Sequence, residues 1–203
     1  MIPKETLNNE KQRLRDRMRK LLRLQQPSDF NAHQERIVTR EIWKKPSTVL
    51  LYWALPGEPD PSVLISGCSY HRFVFPRIEG DKLGLYQYAD RSQWVPGPFG
   101  LKEPDPETWE QVSPRDIDLA FIPGLTFDPM GARLGRGKGF YDRLLGAPGF
   151  HGVKIGLCWE WQIIPSVPRD SRDILMDLII SEEKAIFTGS LTGSGLDKRS
   201  ERR

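Results

Sequence analysis

The sequence predicts an α/β fold in which helices flank a mostly parallel sheet, and three observations support this class. The length of 203 residues suits one domain of ordinary size. Apolar residues make up 38% and charged residues 28%, a balance typical of soluble globular proteins and not of disordered or membrane-spanning chains. Short apolar runs of strand length alternate with segments of helical periodicity, as in proteins with a parallel sheet. The 17 prolines and 18 glycines follow no repeat, which excludes collagen-like and solenoid architectures.

The first predicted element is a basic amphipathic helix over residues 4–25. Lys11 falls inside its apolar stripe, and Arg15 lies on the edge of that stripe. A lysine is almost never buried unless it is paired. Either its stem lies along apolar surface with the ammonium group in water, or Lys11 and Arg15 point inward to hold an anion. The stripe consists of Leu7, Lys11, Leu14, Met18, Leu21, Leu22 and Gln25.

The remaining elements follow from caps, breakers and apolar runs. A second helix is predicted from an N-cap at Ser28 to about Lys45, where Pro46 stops it. Asp60 is expected to cap a short helix that ends near Ser66. Six further runs have the length of strands, and the first reads as a parallel strand covered on both faces. These runs span residues 48–55, 72–78, 83–88, 116–125, 153–159 and 177–181.

Two segments are predicted to contain neither helix nor strand. Residues 95–107 are too rich in proline and glycine for either element, so we expect a long loop there. Residues 189–203 are small and charged, and we expect them to be disordered. The predicted organisation is one domain over residues 1–188 followed by a basic tail.

The net charge of +3 is unevenly distributed. Residues 10–23 contribute +5 and residues 197–203 contribute +2, so the rest of the chain sums to −4. This distribution argues against a chain that coats nucleic acid along its whole surface, and nucleic acid is not expected as a partner. It favours one basic helix with a specific role or with a solvated face.

Cysteine content and hydropathy indicate the compartment. The only two cysteines, Cys68 and Cys158, lie far apart, so neither a disulfide scaffold nor a zinc site is expected. The N-terminal residues contain no signal-peptide core, and about 18 consecutive apolar residues occur nowhere. We expect a reduced cytoplasmic protein with no membrane partner.

The densest chemical signal is the segment FIPGLTFDPMGARLGRGKGFYDRLL, residues 121–145. Its glycines can take positive φ and let the backbone approach a ligand closely, and cations alternate with them. A helix that starts near Gly139 would add its backbone N–H groups to the same positive field. The pattern favours a polyphosphate ligand, with a flexible basic turn as the alternative. The residues concerned are Gly131, Gly135, Gly137 and Gly139 with Arg133, Arg136 and Lys138.

Neither standard phosphate motif fits this segment. A Walker A loop would need glycine at Ala132 and serine or threonine at Gly139, and a dinucleotide fingerprint would need a third glycine at Phe140. What remains is an anion-binding loop after a parallel strand, which is where open α/β sheets place their ligands.

Nearby carboxylates have two interpretations. Asp142 lies just inside the expected helix, where it could cap the helix or hold Mg²⁺, an ion that takes one or two protein carboxylates. A second carboxylate could come from Asp170, Asp173 or Asp177, close to the last predicted strand. Spacing alone favours capping or a surface role for each of them.

Together, three strings resemble the 5-formyltetrahydrofolate cyclo-ligase family, over about residues 10–188. They are GARLGRGKGFYDR, the N-terminal KQRLR and the late VPRDSRDILMD. The resemblance implies a three-layer α/β fold related to the ribose-phosphate isomerase and CoA-transferase group. It also implies a monomeric ligase of folate one-carbon metabolism that uses ATP and Mg²⁺. That enzyme would cyclise 5-formyltetrahydrofolate, including polyglutamylated forms, to 5,10-methenyltetrahydrofolate and release ADP and phosphate.

The resemblance also implies roles for particular residues. The implied ATP-binding residues are Lys11, Arg15, Arg133, Leu134, Gly135, Arg136, Gly137, Lys138, Gly139, Phe140 and Tyr141. The implied folate-binding residues are Trp53, Glu58, Arg136, Gly137, Lys138, Gly139 and Phe140. Arg136, Lys138 and Phe140 would take part in catalysis, and Asp142 and Asp173 would bind Mg²⁺.

Three positions depart from the family pattern. Phe140 stands where a tyrosine is usual, Arg172 where histidine is common, and Pro61 where many members have threonine. None of these changes removes an implied phosphate or metal ligand. Two other functions remain open at the level of sequence: an RNA-binding homologue that has lost the reaction, and an ATP-independent sugar-phosphate isomerase of the same architecture.

Overall fold

A computed structural model of the chain describes residues 4–24, 30–88 and 94–188. The helices of this part of the chain are α1 (Lys4–Leu24), α2 (Asn31–Val38) and α3 (Phe140–Leu145). Its strands are β1 (Thr48–Leu50), β2 (Arg72–Glu79), β3 (Lys82–Gln87), β4 (Trp94–Pro96), β5 (Lys102–Pro104), β6 (Leu119–Pro123), β7 (Thr126–Phe127), β8 (Arg133–Leu134), β9 (Val153–Leu157), β10 (Leu178–Ile180) and β11 (Ala185–Phe187).

Seven of the described strands form a central sheet in the order β11-β10-β9-β6-β1-β2-β3. The five inner strands pair in parallel. The edge strands β11 and β3 run antiparallel to their neighbours. The mostly parallel sheet predicted from the apolar runs is therefore confirmed.

The core lies on both faces of this sheet. Successive residues of a strand point to opposite faces, so Phe121 and Ile122 of β6 belong to two different apolar clusters. Ile37 of α2 packs into the first cluster, and Leu144 and Leu145 of α3 pack into the second. The result is the three-layer α/β arrangement that the sequence predicts.

The second helix is shorter than predicted. It ends at Val38 and not near Lys45, and the predicted N-cap Ser28 lies outside the described residues. The Thr39 hydroxyl donates to the backbone oxygen of Glu35 at 2.9 Å, and the next backbone hydrogen bonds reach back three residues instead of four. A β-branched side chain that bonds a helix carbonyl, followed by tight turns, ends the regular helix.

The first strand is also shorter than its apolar run, which continues to Leu55. β1 ends at Leu50, and Tyr52 is still only 2% exposed. The Tyr52 hydroxyl donates to the backbone oxygen of Pro59 at 2.6 Å. Leu51 and Tyr52 are buried although they lie beyond the end of β1. The apolar run is therefore longer than the strand. The predicted cap is confirmed nearby, where the Ser62 N–H donates to the Asp60 carboxylate at 2.9 Å and opens a 3₁₀ helix.

The prediction of a loop over residues 95–107 is wrong at two places. β4 and β5 pair there as an antiparallel hairpin, with Pro96 opposite Lys102 and Trp94 opposite Pro104. A two-stranded ribbon leaves one side of each strand unpaired, so a proline nitrogen that faces away from the partner loses no hydrogen bond. The short strands β7, β8 and β11 were not predicted, because two or three residues carry no periodic signal.

The first helix packs Met18 and Leu22 against Leu125, immediately after β6. This contact sets α1 across the carboxyl end of β6 and confirms the predicted apolar stripe at Leu14, Met18, Leu21 and Leu22. Gln25, the last residue of that stripe, lies outside the described residues. Among the described residues, no helix combines the length and the apolar character needed to cross a bilayer. Both cysteines are buried and free. The tail predicted to be disordered lies outside the described residues.

Candidate active site

A cavity of about 1220 Å³ opens where the chain leaves β1 and β6. Its walls are α1, the glycine-rich loop (residues 131–139), the start of α3, the segment 52–58 and the β4–β5 hairpin. The position agrees with the rule that open α/β sheets bind ligands beyond the carboxyl ends of their strands. Nine cationic side chains and five acidic ones line the cavity, so it carries an excess of positive charge suited to an anion.

Every site residue that the resemblance to the cyclo-ligase family implies lines this one cavity. The set is Lys11, Arg15, Trp53, Glu58, Arg133, Leu134, Gly135, Arg136, Gly137, Lys138, Gly139, Phe140, Tyr141, Asp142 and Asp173. They come from four regions of the chain that are separated by up to about 160 positions. Only the tertiary structure brings these regions together, and no local sequence pattern shows that they meet.

The glycine-rich loop uses its glycines for two different purposes. Gly137 and Gly139 have φ of +105° and +69°, which a residue with a side chain rarely adopts. Gly135 does not have positive φ, so the expectation for it is wrong. A Cβ at Gly135 would lie 2.9 Å from Nη1 of Arg133, so a larger residue there would displace the end of that buried side chain. α3 then starts at Phe140, as predicted.

Two arginines of α1 hold the backbone of this loop. Nε of Arg15 donates to the Gly135 oxygen at 3.2 Å, and Nη2 of Arg19 donates to the Arg136 oxygen at 2.9 Å. Asp16 accepts from Nη1 of Arg19 at 3.2 Å and orients that side chain. The basic helix therefore engages two consecutive carbonyl groups of the loop.

The Lys11 side chain points inward, so its ammonium group is not in water as the first of the two alternatives would have it. The residue is 6% exposed. Its ammonium group lies 2.5 Å from Oδ2 of Asp173 and 3.4 Å from Oδ2 of Asp170. Hydrogen bonds from Arg172 hold the pKa of Asp170 well below its usual range, with a smaller contribution from the Lys11 charge. Two carboxylates thus lie beside the buried ammonium group of Lys11.

Arg133 lies beneath the loop and not on its surface. Its side chain is 3% exposed. Nη1 donates to the Pro123 oxygen at 3.1 Å, and Nη2 donates to Oδ1 of Asp142 at 3.0 Å. The guanidinium also lies 5.7 Å from the centre of the Tyr141 ring. These contacts fix the orientation of the Asp142 carboxylate, which stays 29% exposed toward the cavity.

Glu58 is buried and tied to the loop from the other side. Its side chain is 5% exposed, and Oε1 accepts from Nη2 of Arg136 at 2.6 Å. Oε2 accepts the backbone N–H of Leu55 at 3.0 Å. Burial, reinforced by the negative charge of Glu58, raises the pKa of the Tyr52 and Tyr141 hydroxyls. Both tyrosines are neutral hydrogen-bond donors at physiological pH.

The aromatic wall of the cavity is built around Trp53. Its ring lies 5.0 Å from the ring of Trp94, and Nζ of Lys102 lies 5.9 Å from its centre. Phe140 is half-buried at the start of α3 with the Arg143 guanidinium 5.4 Å from its ring. The cavity thus has a cationic side at the loop and an aromatic side at the hairpin.

Comparison with known proteins assigns the family. The model of the 5-formyltetrahydrofolate cyclo-ligase family matches residues 4–182. The chain belongs to this family. It is 27% identical over 202 residues to the 5-formyltetrahydrofolate cyclo-ligase of Mus musculus, covering 88% of this chain and 96% of the mouse protein. It is 25% identical over 169 residues to a probable 5-formyltetrahydrofolate cyclo-ligase of Schizosaccharomyces pombe, covering 75% of this chain and 83% of that protein.

Solved structures agree with this assignment. The solution structure of 5,10-methenyltetrahydrofolate synthetase from Aquifex aeolicus superposes with a TM-score of 0.79 at 28% identity, over 95% of this chain and 99% of that one. The Mycoplasma pneumoniae synthetase, at 21% identity and a TM-score of 0.68 over 85% of this chain and 99% of that one, shares the fold.

The structure adds cavity residues that the comparison with the cyclo-ligase pattern did not assign. Arg19 follows Lys11 and Arg15 at intervals of four on one helix face, a spacing that could have identified it. Arg172, at a position that departs from the family pattern, pairs with Asp170 at 3.1 Å. Asp177, a sequence candidate for metal binding, instead pairs with Lys154 at 2.6 Å and is not among the cavity residues. The additional lining residues include Asn8, Asn9, Gln12, Arg19, Lys102, Arg143, Asp170 and Arg172.

Proposed function

We propose that this cyclo-ligase family member converts 5-formyltetrahydrofolate to 5,10-methenyltetrahydrofolate, with ATP consumed and ADP and phosphate released. The observation that carries the proposal is the convergence of all fifteen predicted site residues on one cavity with a cationic side and an aromatic side. Family membership supports the same reaction.

The chemistry explains why ATP is required. The formyl group on nitrogen 5 is an amide, and resonance makes its carbonyl carbon a poor electrophile. Transfer of the γ-phosphoryl group from ATP to the formyl oxygen turns that oxygen into a leaving group. Nitrogen 10 then forms a bond to the formyl carbon and loses its proton, the carbon–oxygen bond breaks, and phosphate leaves with the oxygen. The five-membered ring is closed.

The cationic side of the cavity suits the phosphates of ATP. Lys138 is exposed, and its ammonium group makes no hydrogen bond or ion pair to any other described residue. Lys11, Arg15 and Arg136 are held nearby by protein partners. Cations in fixed positions lower the free energy of the charge that moves during phosphoryl transfer, because they need little reorganisation.

The two carboxylates proposed to bind Mg²⁺ have the donor atoms that this ion needs. Asp142 uses Oδ1 for Arg133, and Asp173 uses Oδ2 for Lys11 and for the backbone N–H of Asp170. The second oxygen of each carboxylate accepts no hydrogen bond from the described residues. Mg²⁺ typically takes one or two protein carboxylates and otherwise water and phosphate oxygens, so the free oxygen on each carboxylate is a suitable donor. The bound ion would neutralise charge on the ATP phosphates.

The aromatic side suits the folate ring system. Trp53 and Phe140 offer flat apolar surfaces for the pterin and aminobenzoyl rings. Glu58 would accept hydrogen bonds from the pterin N–H groups, and its link to Arg136 couples the folate side to the phosphate side. Phe140 provides a ring for stacking but no hydroxyl for hydrogen bonding.

A direct assay tests the proposed function. Purified protein is mixed with 5-formyltetrahydrofolate, ATP and Mg²⁺, and the near-ultraviolet absorbance of the methenyl product is followed with and without ATP. We expect an ATP-dependent rise that Lys138→Ala and Asp142→Ala abolish, while Lys45→Ala, at an exposed lysine outside the cavity, leaves it unchanged.

Failure of this assay has distinct meanings. No rise with ATP binding retained by calorimetry would contradict the folate substrate and point to Phe140 and Arg172. No rise and no ATP binding would contradict the enzyme and favour RNA binding. A monomeric state and a cytoplasmic location remain predictions, the first of which light scattering of the purified protein would check.

A further inference from the structure

Two of the nine cations that line the cavity have no acidic or carbonyl partner for their charged group among the described residues. They are Lys138 and Lys102. Lys138 belongs to the glycine-rich loop and is accounted for by the proposed phosphate site. Lys102 lies on β5 and has no role in that site. The seven engaged cations are Lys11, Arg15, Arg19, Arg133, Arg136, Arg143 and Arg172.

The position of Lys102 is fixed by the hairpin that carries it. The backbone oxygen of Pro104 accepts from Nη1 of Arg77 at 2.7 Å, and the Glu103 carboxylate accepts the N–H of Ile78 at 3.1 Å. Both bonds attach β5 to β2. The exposed ammonium group of Lys102 lies 5.9 Å from the centre of the Trp53 ring, a cation–π arrangement that holds it at the aromatic side of the cavity.

The neighbouring acid does not neutralise Lys102. Glu103 is buried, and successive residues of a strand point to opposite sides. The Glu103 carboxylate lies 3.7 Å from Nη1 of Arg77, which balances its charge. The cavity wall also includes the apolar residues Pro76, Ile78, Leu83 and Leu101. The site therefore combines flat apolar surface with one uncompensated positive charge.

We propose that Lys102 binds the glutamate carboxylates of the folate substrate and so sets the preference for glutamylated folates. This inference rests on the proposed function. A glutamylated folate is an aromatic ring system that ends in carboxylates, and Trp53 with Lys102 offers the matching sequence of an aromatic ring and a cation. Carboxylates at the tail need a cation separate from those that hold the phosphates, since both groups are bound at once. Each further glutamyl residue adds a negative charge that the same exposed lysine attracts.

The test compares enzyme variants on substrates that differ only in their tails. The variants are Lys102→Ala, Lys102→Glu and Lys102→Arg, with Lys45→Ala as the matched control at an exposed lysine outside the cavity. The substrates are 5-formyltetrahydrofolate, its triglutamate form and 5-formyltetrahydropteroyl methylamide, in which an uncharged amide replaces the glutamate and no tail carboxylate remains. Initial rates give KM for each substrate and for ATP, and thermal melting confirms that each variant is folded.

We expect Lys102→Ala to raise KM for 5-formyltetrahydrofolate about five- to tenfold, because one charge-assisted hydrogen bond at an exposed site is lost. Lys102→Glu should raise this KM further, Lys102→Arg should stay near wild type, and the increase should be greatest for the triglutamate. For 5-formyltetrahydropteroyl methylamide the three variants should match wild type, and kcat and the KM for ATP should be unchanged throughout.

Several outcomes would overturn the inference while the proposed function stands. An equal rise in KM for tailed and tail-less substrates would assign Lys102 to ring stacking through Trp53. A rise in the KM for ATP alone would assign it to the phosphates, and wild-type kinetics on all substrates would leave it no role in binding. Failure of the proposed function is distinguishable, since wild-type protein would then turn over none of the three folates.

Discussion

At the scale of single residues, Arg133 shows how a cation can serve a site without facing the ligand. Its guanidinium is almost fully buried and divides its donors between the Pro123 oxygen and Asp142. Groups that orient a metal-binding carboxylate commonly change metal affinity when they are replaced, even though they never touch the ion. We therefore expect Arg133 to act on Mg²⁺ through Asp142.

Replacement of Arg133 by methionine tests this role. The Mg²⁺ concentration that gives half-maximal activity should rise about tenfold, with a smaller change in the KM for ATP measured at saturating Mg²⁺. The free energy of unfolding should fall by about 2–3 kcal/mol, less than the roughly 3–5 kcal/mol typical of a fully buried pair, since Asp142 is partly solvated.

Asp142→Asn is the matched variant for this experiment. If both residues act on one ion, the double variant should shift the Mg²⁺ dependence little more than either single variant. A loss of stability with an unchanged Mg²⁺ requirement would reduce Arg133 to a structural residue. A large rise in the KM for ATP alone would instead make it a direct phosphate ligand.

At the scale of elements, α1 holds the glycine-rich loop by its backbone. Arg19→Ala removes the bond to the Arg136 oxygen, so the loop should sample more conformations and kcat/KM for ATP should fall about three- to tenfold. Arg17→Ala, at an exposed position of the same helix, should leave both kinetics and stability unchanged. Stability of the Arg19 variant should change by less than about 1 kcal/mol, because this arginine is partly exposed. Steady-state kinetics and urea unfolding measure both effects, and equal kinetics for the two variants would contradict the role of Arg19.

The attachment of α2 to the sheet should depend on pH. His33 is fully buried, with Nε2 2.8 Å from the Cys158 oxygen and its ring against Phe30 and Trp159. Burial lowers the pKa of His33 below its ordinary 6.5, although the hydrogen bond to the Cys158 oxygen and the charge of Glu182 at 3.9 Å act in the opposite direction. The charge of Arg36 adds to the lowering. Between the two pKa values the unfolded chain binds a proton that the folded chain does not.

The free energy of unfolding should therefore be fully retained above about pH 6.5 and should decrease as pH falls below that value. Urea unfolding from pH 7.5 to 5 measures the slope. His71, also buried with a lowered pKa, contributes in the same direction. His33→Gln should reduce the slope, and a variant that keeps the full wild-type slope would contradict the assignment to His33.

Elements also show which features a sequence can predict. Helix α1 and six strands of the central sheet were predictable because each has a period or an apolar run of its own. These strands are β1, β2, β3, β6, β9 and β10. The β4–β5 hairpin was not predictable, since Pro96 and Pro104 are acceptable only in the context of a two-stranded ribbon. In the site, the glycine-rich loop was predictable from its alternating glycines and cations. No sequence pattern around Lys102 indicates a binding residue, because its position depends on a hairpin packed against the distant strand β2.

At the scale of the whole molecule, the cavity concentrates positive charge in a chain whose net charge is only +3. The excess of cationic over acidic lining residues should attract ATP through long-range electrostatics. Salt screens this attraction, with a Debye length of about 8 Å at physiological ionic strength.

An increase of potassium chloride from about 0.05 to 0.5 M should raise the KM for ATP several-fold, with a much smaller change in kcat. Kinetics at constant free Mg²⁺ measure this effect. A KM for ATP that is insensitive to salt would show that short-range contacts alone determine binding.

The strand order has a consequence for how the chain is made. β1 pairs with β2 on one side and with β6 on the other, and β6 begins about 70 residues after β1 ends. During synthesis β1, β2 and β3 emerge first, and β1 has no partner on its second side until β6 has been made. Lys11 meets Asp173 across 162 positions of sequence. The N-terminal helix can pack on Leu125 and the glycine-rich loop earlier, but a ribosome-bound chain that stops before residue 173 lacks the carboxylate that pairs with its buried Lys11.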